Sequence, residues 1–338
     1  MEIVLTNDLE KVKEFLKEFD LSLDDDVDLT LVAVEDDKII GTCSAAKNII
    51  KGFAVSKDYQ SEGVASKLLT KIQNILFDKG IYETFIFTKP ENKSIFEGLG
   101  YRFVEGNSDV ALLEGGAANV QKYVRDMFLK SDLDDGEKAA LVMNCNPFTL
   151  GHKYLIETAA KENERVVVFI VEENKSLFPF DVRLELVKKG VKDLKNVTVI
   201  PGGKYIISSA TFPSYFLRKE DDRLRAYTRL DAAIFGRYIA KEFNIKRRYV
   251  GTEPYCPVTN AYNNALMDIL PNFGIEVKIV ERLMKDNVAV SASFVRNLIK
   301  QGKLEDTKKF VPESTYEFLI SKEAEDIIEK IKRSDSPH

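Results

Sequence analysis

The chain has 338 residues, enough for two domains, and its 44% hydrophobic and 30% charged residues are typical of a globular protein. A formal net charge of -5, with basic residues spread among acidic ones, argues against a nucleic-acid partner. The longest apolar run (166–171) is too short for a membrane span, and the start lacks a signal-peptide pattern. Three widely spaced cysteines predict neither disulfides nor a zinc site. We therefore expect a cytoplasmic protein without a membrane partner.

The first half is predicted to be an α+β domain, because short runs rich in Val, Ile and Thr alternate with turns and with two helical patterns. In chain order the predicted elements are a helix near 8–19, strands at 29–35, 38–46 and 49–56, a helix ending at Gly80, a strand at 83–88, a short helix at 92–100 and strands at 101–106 and 109–114. Beyond them, residues 117–131 are predicted to form one more helix.

The acidic, glycine-containing segment 132–140 has the composition of a linker. We therefore place a domain boundary near 135, which divides the chain into domains 1–135 and 136–338. The sequence contains no internal repeat, and its two halves are unlike each other.

In the second half, buried-type strands alternate with amphipathic helices. Strands are predicted at 138–144, 165–173, 196–201, 246–253 and 275–281, and helices at 151–163, 180–194, 260–270 and 291–303, with a mostly helical insert at 214–243. This alternation predicts a doubly wound parallel sheet, in which ligands bind beyond the carboxyl ends of the strands.

A compact motif, Asn146 to His152 ("NPFTLGH"), follows the first of these strands and opens a helix. A helix start attracts phosphate through its free N–H groups and its positive dipole end. We expect Gly151 to let the backbone approach a ligand, and Thr149 and His152 to donate hydrogen bonds to a phosphate. A surface or helix-capping histidine is the alternative for His152.

A second segment, 290–296 ("VSASFVR"), follows the last predicted strand and begins the last predicted helix. Ser291 and Ser293 are expected either to cap this helix or to bind phosphate, and Arg296 is a candidate cation for the outer phosphates.

Together the two segments resemble the nucleotidylyltransferase superfamily, whose (T/H)xGH and ISSTxxR-like motifs hold a nucleoside triphosphate. The match extends further: 144–157, 171–190, 196–217, 250–263 and 290–296 resemble the citrate lyase ligase family. That resemblance implies an acid–thiol ligase that uses ATP, Mg²⁺ and acetate to acetylate the coenzyme A-derived prosthetic group of the citrate lyase acyl-carrier subunit, through an acetyl-adenylate, releasing AMP and pyrophosphate. On this reading His152, Thr149 and Arg296 are catalytic.

Other residues near the predicted strand ends are weaker candidates. Gly251 and Glu253 are expected either to contact the nucleotide or simply to form a turn. Asn146 could bond the backbone or ATP, and Arg183 could face the cleft. Cys145 and the aromatic stretch 211–216 are expected to be packing residues.

The first half resembles the GNAT acetyltransferases, because Gln60, Gly63 and Ala65 match the segment that holds the pyrophosphate of coenzyme A. Phe96, however, replaces the tyrosine that often serves as the acid in that family, and a phenyl ring cannot donate a proton. We therefore expect this domain to bind coenzyme A or its derivative, or to be a scaffold without a ligand.

Two other functions stay open from the sequence. One is a phosphopantetheine or mononucleotide adenylyltransferase, and the other is a non-catalytic regulatory protein that binds acetyl-CoA and a nucleotide. The extended match in the second half disfavours the first, and intact Thr149, His152 and Arg296 disfavour the second.

Overall fold

A computed structural model describes residues 1–172, 176–208, 222–253 and 256–334. The chain divides into two compact units, Met1–Tyr123 and Val124–His338, and the division falls within the helix Val120–Lys130. The boundary near 135 expected from the linker composition stays a prediction. The aromatic stretch 211–216 lies outside the described residues.

The first unit is built on a seven-stranded sheet with the order β1-β2-β3-β4-β5-β7-β6. Its elements, together with the helix that leads into the second unit, are β1 (Glu2–Leu5), α1 (Leu9–Lys17), β2 (Leu29–Glu35), β3 (Lys38–Ala46), β4 (Ile49–Val55), α2 (Val64–Asp78), β5 (Glu83–Thr88), α3 (Lys93–Gly98), β6 (Arg102–Gly106), β7 (Ala111–Gly116) and α4 (Val120–Lys130).

Alternation along β2 explains why helices cover both faces of this sheet. Leu31 packs into one core with the apolar side of α2, while Val32, its neighbour, packs into a second core with α1. β4 and β5 are the one parallel pair, and only Ile49 and Ile50 of β4 pair with β5. The predicted α+β domain is confirmed.

The second unit contains a five-stranded parallel sheet with the order β10-β9-β8-β11-β12. Its elements are β8 (Lys138–Met143), α5 (Leu150–Glu162), β9 (Val166–Ile170), α6 (Phe180–Gly190), β10 (Val197–Pro201), α7 (Asp222–Ile234), α8 (Ala240–Glu242), β11 (Ile245–Gly251), α9 (Pro257–Ile269), β12 (Glu276–Val280), β13 (Met284–Lys285), β14 (Val288–Ala289), α10 (Ala292–Lys300), α11 (Glu313–Leu319) and α12 (Glu325–Arg333).

The strand order reverses between β8 and β11, which makes their carboxyl ends the switch point where ligands of such sheets bind. One face of the sheet shares a core with α5, α6 and α10, and the other packs against the helical segment that includes α7 and its π-helical continuation Phe235–Ile239. The doubly wound parallel sheet predicted from the sequence is confirmed.

Five elements were not predicted from the sequence: β1, β13, β14, α11 and α12. Each strand is short, so it offers too few residues for a recognisable alternation. Among the described residues, no helix is both long and apolar enough to cross a membrane.

Candidate functional site

A buried arginine on α6 fixes the loop between β8 and α5. Arg183 is fully buried and its Nη1 donates to the Asn144 carbonyl (2.9 Å), to Asn144 Oδ1 (2.8 Å) and to the Val171 carbonyl (2.7 Å). Its Nε donates to the Phe178 carbonyl at 3.0 Å. Arg183 therefore ties the carboxyl ends of β8 and β9 to the start of α6, and the expectation that it faces the cleft is wrong.

Thr149 and His152 form a reciprocal cap at the start of α5. The Thr149 side chain accepts a hydrogen bond from the His152 amide (3.4 Å), and the Thr149 amide donates to Nδ1 of His152 (3.1 Å). Since Nδ1 accepts this hydrogen bond, the neutral ring carries its proton on Nε2. His152 is thus a capping residue through Nδ1, while its Nε2–H remains able to donate to another group.

The environment of His152 keeps its ring neutral. The imidazole lies parallel to the ring of Phe148, with the centroids 6.1 Å apart. Burial, together with the positive guanidiniums of Arg282 and Arg296, lowers the pKa of His152 to about 4. At neutral pH the residue is therefore an uncharged donor, and it does not act as a cation.

Gly151 allows α5 to approach the second signature segment. A Cβ at this position would lie 2.5 Å from the carbonyl oxygen of Val290, a distance that backbone atoms cannot accommodate without moving. This close approach is made within the chain, and the expected approach of the Gly151 backbone to a ligand stays a prediction. Gly151 brings the start of α5 against Val290, two residues before α10 begins.

The residues of the second segment divide between capping and contact with the first. Ser291 caps α10 by accepting from the Phe294 amide at 3.2 Å, and its Oγ lies 3.2 Å from that of the exposed Ser293. Arg296 is buried, and its Nη1 donates to the carbonyl of Asn146. The structure therefore joins the two predicted segments through Arg296.

Asn146 is almost completely buried in the same loop, with 3% of its surface exposed. Its Oδ1 accepts from the Phe178 amide at 3.0 Å. Nδ2 is buried without a hydrogen-bond partner in the described part of the chain. Such orphaned donors are rare in folded proteins and require an explanation.

Few amides of the α5 start are left for a ligand. The Leu150 amide donates to the Phe310 carbonyl at 2.9 Å, and the His152 amide already points to Thr149. Phosphate recognition at this helix would therefore depend on side chains and on the Gly151 amide more than on the complete first turn.

Arg282, which the sequence reading missed, organises the end of β11. It forms an ion pair with Glu253, and its Nε donates to the Thr252 carbonyl at 2.7 Å. Glu253 also accepts from the Cys256 amide at 3.1 Å, and Asn263 donates to the Gly251 carbonyl at 3.0 Å. Contacts within the chain thus hold Gly251 and Glu253, and the charge of Arg282 lies within electrostatic range of His152. The choice between a nucleotide contact and a turn stays a prediction.

A cleft of about 380 Å³ opens beside Thr252 and Glu253. Its lining combines the polar side chains of Thr252, Glu253, Asn260, Asn263, Asn264 and Glu281 with the apolar side chains of Met267 and Ile279, and most of its exposed surface is apolar. The cleft borders the end of β11 and therefore one side of the switch point.

The candidate anion site of the first unit lies at the start of α2. Gly63 is the N-cap with φ of 72° and makes no side-chain cap, and Gln60 donates to the Val55 carbonyl at 3.4 Å. Ala65 follows in the first turn. Phe96 is buried against the ring of Phe53. Its phenyl ring has no acidic proton to supply.

Tyr101 carries a buried hydroxyl in the first unit, but its contacts are internal. The hydroxyl lies 2.7 Å from Thr84 Oγ1 and accepts from Gln73 Nε2 at 3.1 Å. Burial raises the pKa of Tyr101 to about 12. These bonds occupy the hydroxyl, so nothing in its contacts replaces the acid missing at Phe96.

Two family models match the chain. Residues 138–319 match the citrate lyase ligase C-terminal domain, and residues 5–96 match the acetyltransferase (GNAT) family. The chain is 35% identical over 317 residues to citrate (pro-3S)-lyase ligase of Klebsiella pneumoniae, covering 92% of each protein. It is 37% identical over 316 residues to the protein of that name from Escherichia coli K12, covering 91% of this chain and 89% of the relative.

Among solved structures, a GNAT-family acetyltransferase from Staphylococcus aureus Mu50 is similar to 35% of this chain and 99% of its own. The two are 16% identical, with a TM-score of 0.30.

Gly151→Ala should weaken the contact between the two signature segments. The added Cβ would meet the Val290 carbonyl at 2.5 Å, and overpacking of this kind lowers the free energy of unfolding by about 1–3 kcal/mol. Denaturant unfolding measures the loss. Gly251→Ala is the matched control, because its Cβ would meet only Leu155 Cδ2 at 3.9 Å. Equal loss in both variants would contradict the role assigned to Gly151.

The ring of His152 should stay neutral until the pH falls to about 4. With 2 histidines in the chain, the ring signals in an NMR titration can be assigned with one variant, His152→Gln. Because the folded state resists this protonation, its stability should fall as the pH drops from 6.5 to about 4, and the variant should lose that dependence. A midpoint near 6.5 for His152 would show that its surroundings are misassigned.

Proposed function

The chain belongs to the citrate lyase ligase family, and we propose that it uses ATP and acetate to acetylate the prosthetic-group thiol of the citrate lyase acyl-carrier subunit. The observation that carries this proposal is the convergence at one switch point of a neutral donor, His152, with the cations Arg282 and Arg296. Such a group of donors suits a reaction in which anions must be brought together, and it includes no side-chain nucleophile.

In the first step, a carboxylate oxygen of acetate attacks the α-phosphorus of ATP. The bond from that phosphorus to the bridging oxygen breaks, and pyrophosphate leaves, so the products are acetyl-adenylate and pyrophosphate. Negative charge gathers on the phosphoryl oxygens, and catalysis consists mainly of positioning and charge stabilisation.

We assign roles to the residues of the two segments accordingly. His152 donates from Nε2 to an α-phosphate oxygen, and Thr149 acts through it by fixing the tautomer. Arg296, with Ser291 and Ser293, is the candidate group for the departing phosphates. Gly151 contributes an amide and the close contact of the two segments.

The nucleoside is assigned to the cleft lined by Thr252 and Glu253, whose apolar surface suits a base and whose polar side chains suit hydrogen bonds. Mg²⁺ would arrive with the triphosphate, because it is usually bound through substrate phosphates and one or two carboxylates and not by a site made of protein alone. When bound, it would neutralise phosphate charge.

In the second step, the sulfur of the carrier's thiol attacks the acyl carbon of the adenylate. A thioester forms, the acyl–phosphate bond breaks, AMP leaves and the proton of the thiol is released to solvent. The thiol belongs to a prosthetic group derived from coenzyme A, so we propose that Gln60, Gly63 and Ala65 of the first unit bind its pyrophosphate. With Phe96 unable to act as an acid, this unit would hold the group without acetylating it.

Acetate should drive exchange of labelled pyrophosphate into ATP in the absence of the carrier, because adenylation precedes attack by the thiol. The measurement is isotope exchange with acetate, other short carboxylates, phosphopantetheine and mononucleotides as separate substrates. Exchange that requires phosphopantetheine or a mononucleotide would identify an adenylyltransferase. No exchange with any of them would favour a regulatory protein.

Gly63→Glu should spare acetate-dependent exchange and impair acetylation of the carrier, because it places a carboxylate where a pyrophosphate is proposed to bind. Gly63→Ala is the matched control. It introduces the same backbone strain at φ of 72°, its Cβ meets nothing within 4 Å, and it adds no carboxylate. Transfer to the carrier and exchange are measured in parallel. If both variants transfer acetyl groups equally well, the first unit has no such role.

A further inference from the structure

The loop between β8 and α5 contains two asparagines whose amides differ in one respect. Asn144 has partners at both ends: its Oδ1 accepts from Arg183, and its Nδ2 donates to Ser176 Oγ at 2.9 Å. Asn146 has a partner for Oδ1 but, within the described residues, none for Nδ2. Asn144 therefore completes the fold of the loop, whereas Asn146 leaves a buried donor unused.

The orientation of the Asn146 amide is fixed by its neighbours. The Phe178 N–H needs an acceptor, so the side-chain oxygen must face it and the NH₂ group occupies the other position. Arg296 holds the main-chain carbonyl of the same residue. Since both contacts restrain Asn146, it cannot turn its donor towards another protein acceptor without losing one of them.

A buried donor without an acceptor costs free energy, and such groups persist where a ligand supplies the missing acceptor. Three residues around this loop, Arg282, Arg296 and His152, offer positive charge or a donor. An acceptor that enters such surroundings is favoured if it is anionic.

We propose that Asn146 Nδ2 donates a hydrogen bond to an anionic oxygen at the reacting centre, which is either the carboxylate of the acid substrate or the α-phosphate. This inference rests on the proposed function. The amide is suited to that position because it is neutral. An aspartate of the same shape would set a negative charge against both reactants.

The test compares Asn146→Asp with Asn146→Ala, because the two variants separate the roles of the amide. Aspartate keeps an oxygen for the Phe178 N–H but loses the donor, whereas alanine loses both. We expect Asn146→Ala to lower acetate-dependent exchange about 100-fold, the range for one lost donor, and Asn146→Asp to lower it at least about 10-fold further through charge repulsion. Stability should rank the other way, with the aspartate variant unfolding at the higher denaturant concentration.

Asn196→Asp is the control for the substitution itself. In the wild-type protein, Nδ2 of Asn196 donates to the carbonyls of Ala160 and Asn163, both at 2.8 Å. Asn196 lies 50 positions after Asn146 in the chain. This variant should lose stability but keep the exchange rate of the folded protein. If exchange follows stability in all three variants, or if Asn146→Asp is as active as the unchanged protein, Asn146 has a structural role only and the proposal is wrong.

Two further measurements identify the source of the anion. Calorimetry with ATP alone should show weaker binding in Asn146→Asp if the partner is the phosphate, and a raised KM for acetate with unchanged ATP affinity if it is the carboxylate. ATP binding also separates this proposal from the proposed function. If the wild-type protein shows no exchange with acetate, the proposed function fails. The role of Asn146 is then tested by ATP affinity alone. Weaker ATP binding by Asn146→Asp supports the donor role, and equal ATP binding overturns it.

Discussion

The close contact between the start of α5 and Val290, two residues before α10 begins, is the constraint on which the site in the second unit depends. Gly151 permits the approach, because any side chain there would meet the Val290 carbonyl. Arg296 then spans the contact and binds the Asn146 carbonyl, across 150 positions of the chain. Burying a guanidinium is costly unless acceptors replace water, so this bond both offsets the burial of Arg296 and holds the first signature loop in place.

That arrangement determines the electrostatics of the site. Burial, together with Arg282 and Arg296, lowers the pKa of His152, so the ring is neutral near pH 7 and donates from Nε2. Thr149 fixes which nitrogen carries the proton. Together with the unused donor of Asn146, these groups supply positive potential and hydrogen bonds. Such surroundings are unfavourable to a cation and favourable to a phosphate or carboxylate, without any change of protonation near neutral pH.

The sequence predicted the sheet and both signature segments, because strand alternation and two short motifs are local patterns. It could not predict partners that lie far apart in the chain. Arg183 was expected to face the cleft but serves three carbonyl groups. Arg282 was missed, since an arginine after a strand carries no local signal and its ion pair with Glu253 exists only in the folded sheet. For Gly151 the sequence predicted an approach to a ligand, whereas the contact with the Val290 carbonyl, 139 positions further along the chain, carries no local signal.

The two units present helix starts that differ in how an anion could bind them. In the second unit, Thr149 and Ser291 cap α5 and α10 with their side chains, so much of each first turn is already satisfied. In the first unit, Gly63 begins α2 without a side-chain cap. Amides left open in this way are a means of binding a pyrophosphate that keeps its charge and does not react. Side-chain donors held in place beforehand, such as Nε2 of His152, suit a phosphate on which charge grows during a reaction. We therefore propose that the first unit binds the prosthetic group and that the second carries out the chemistry.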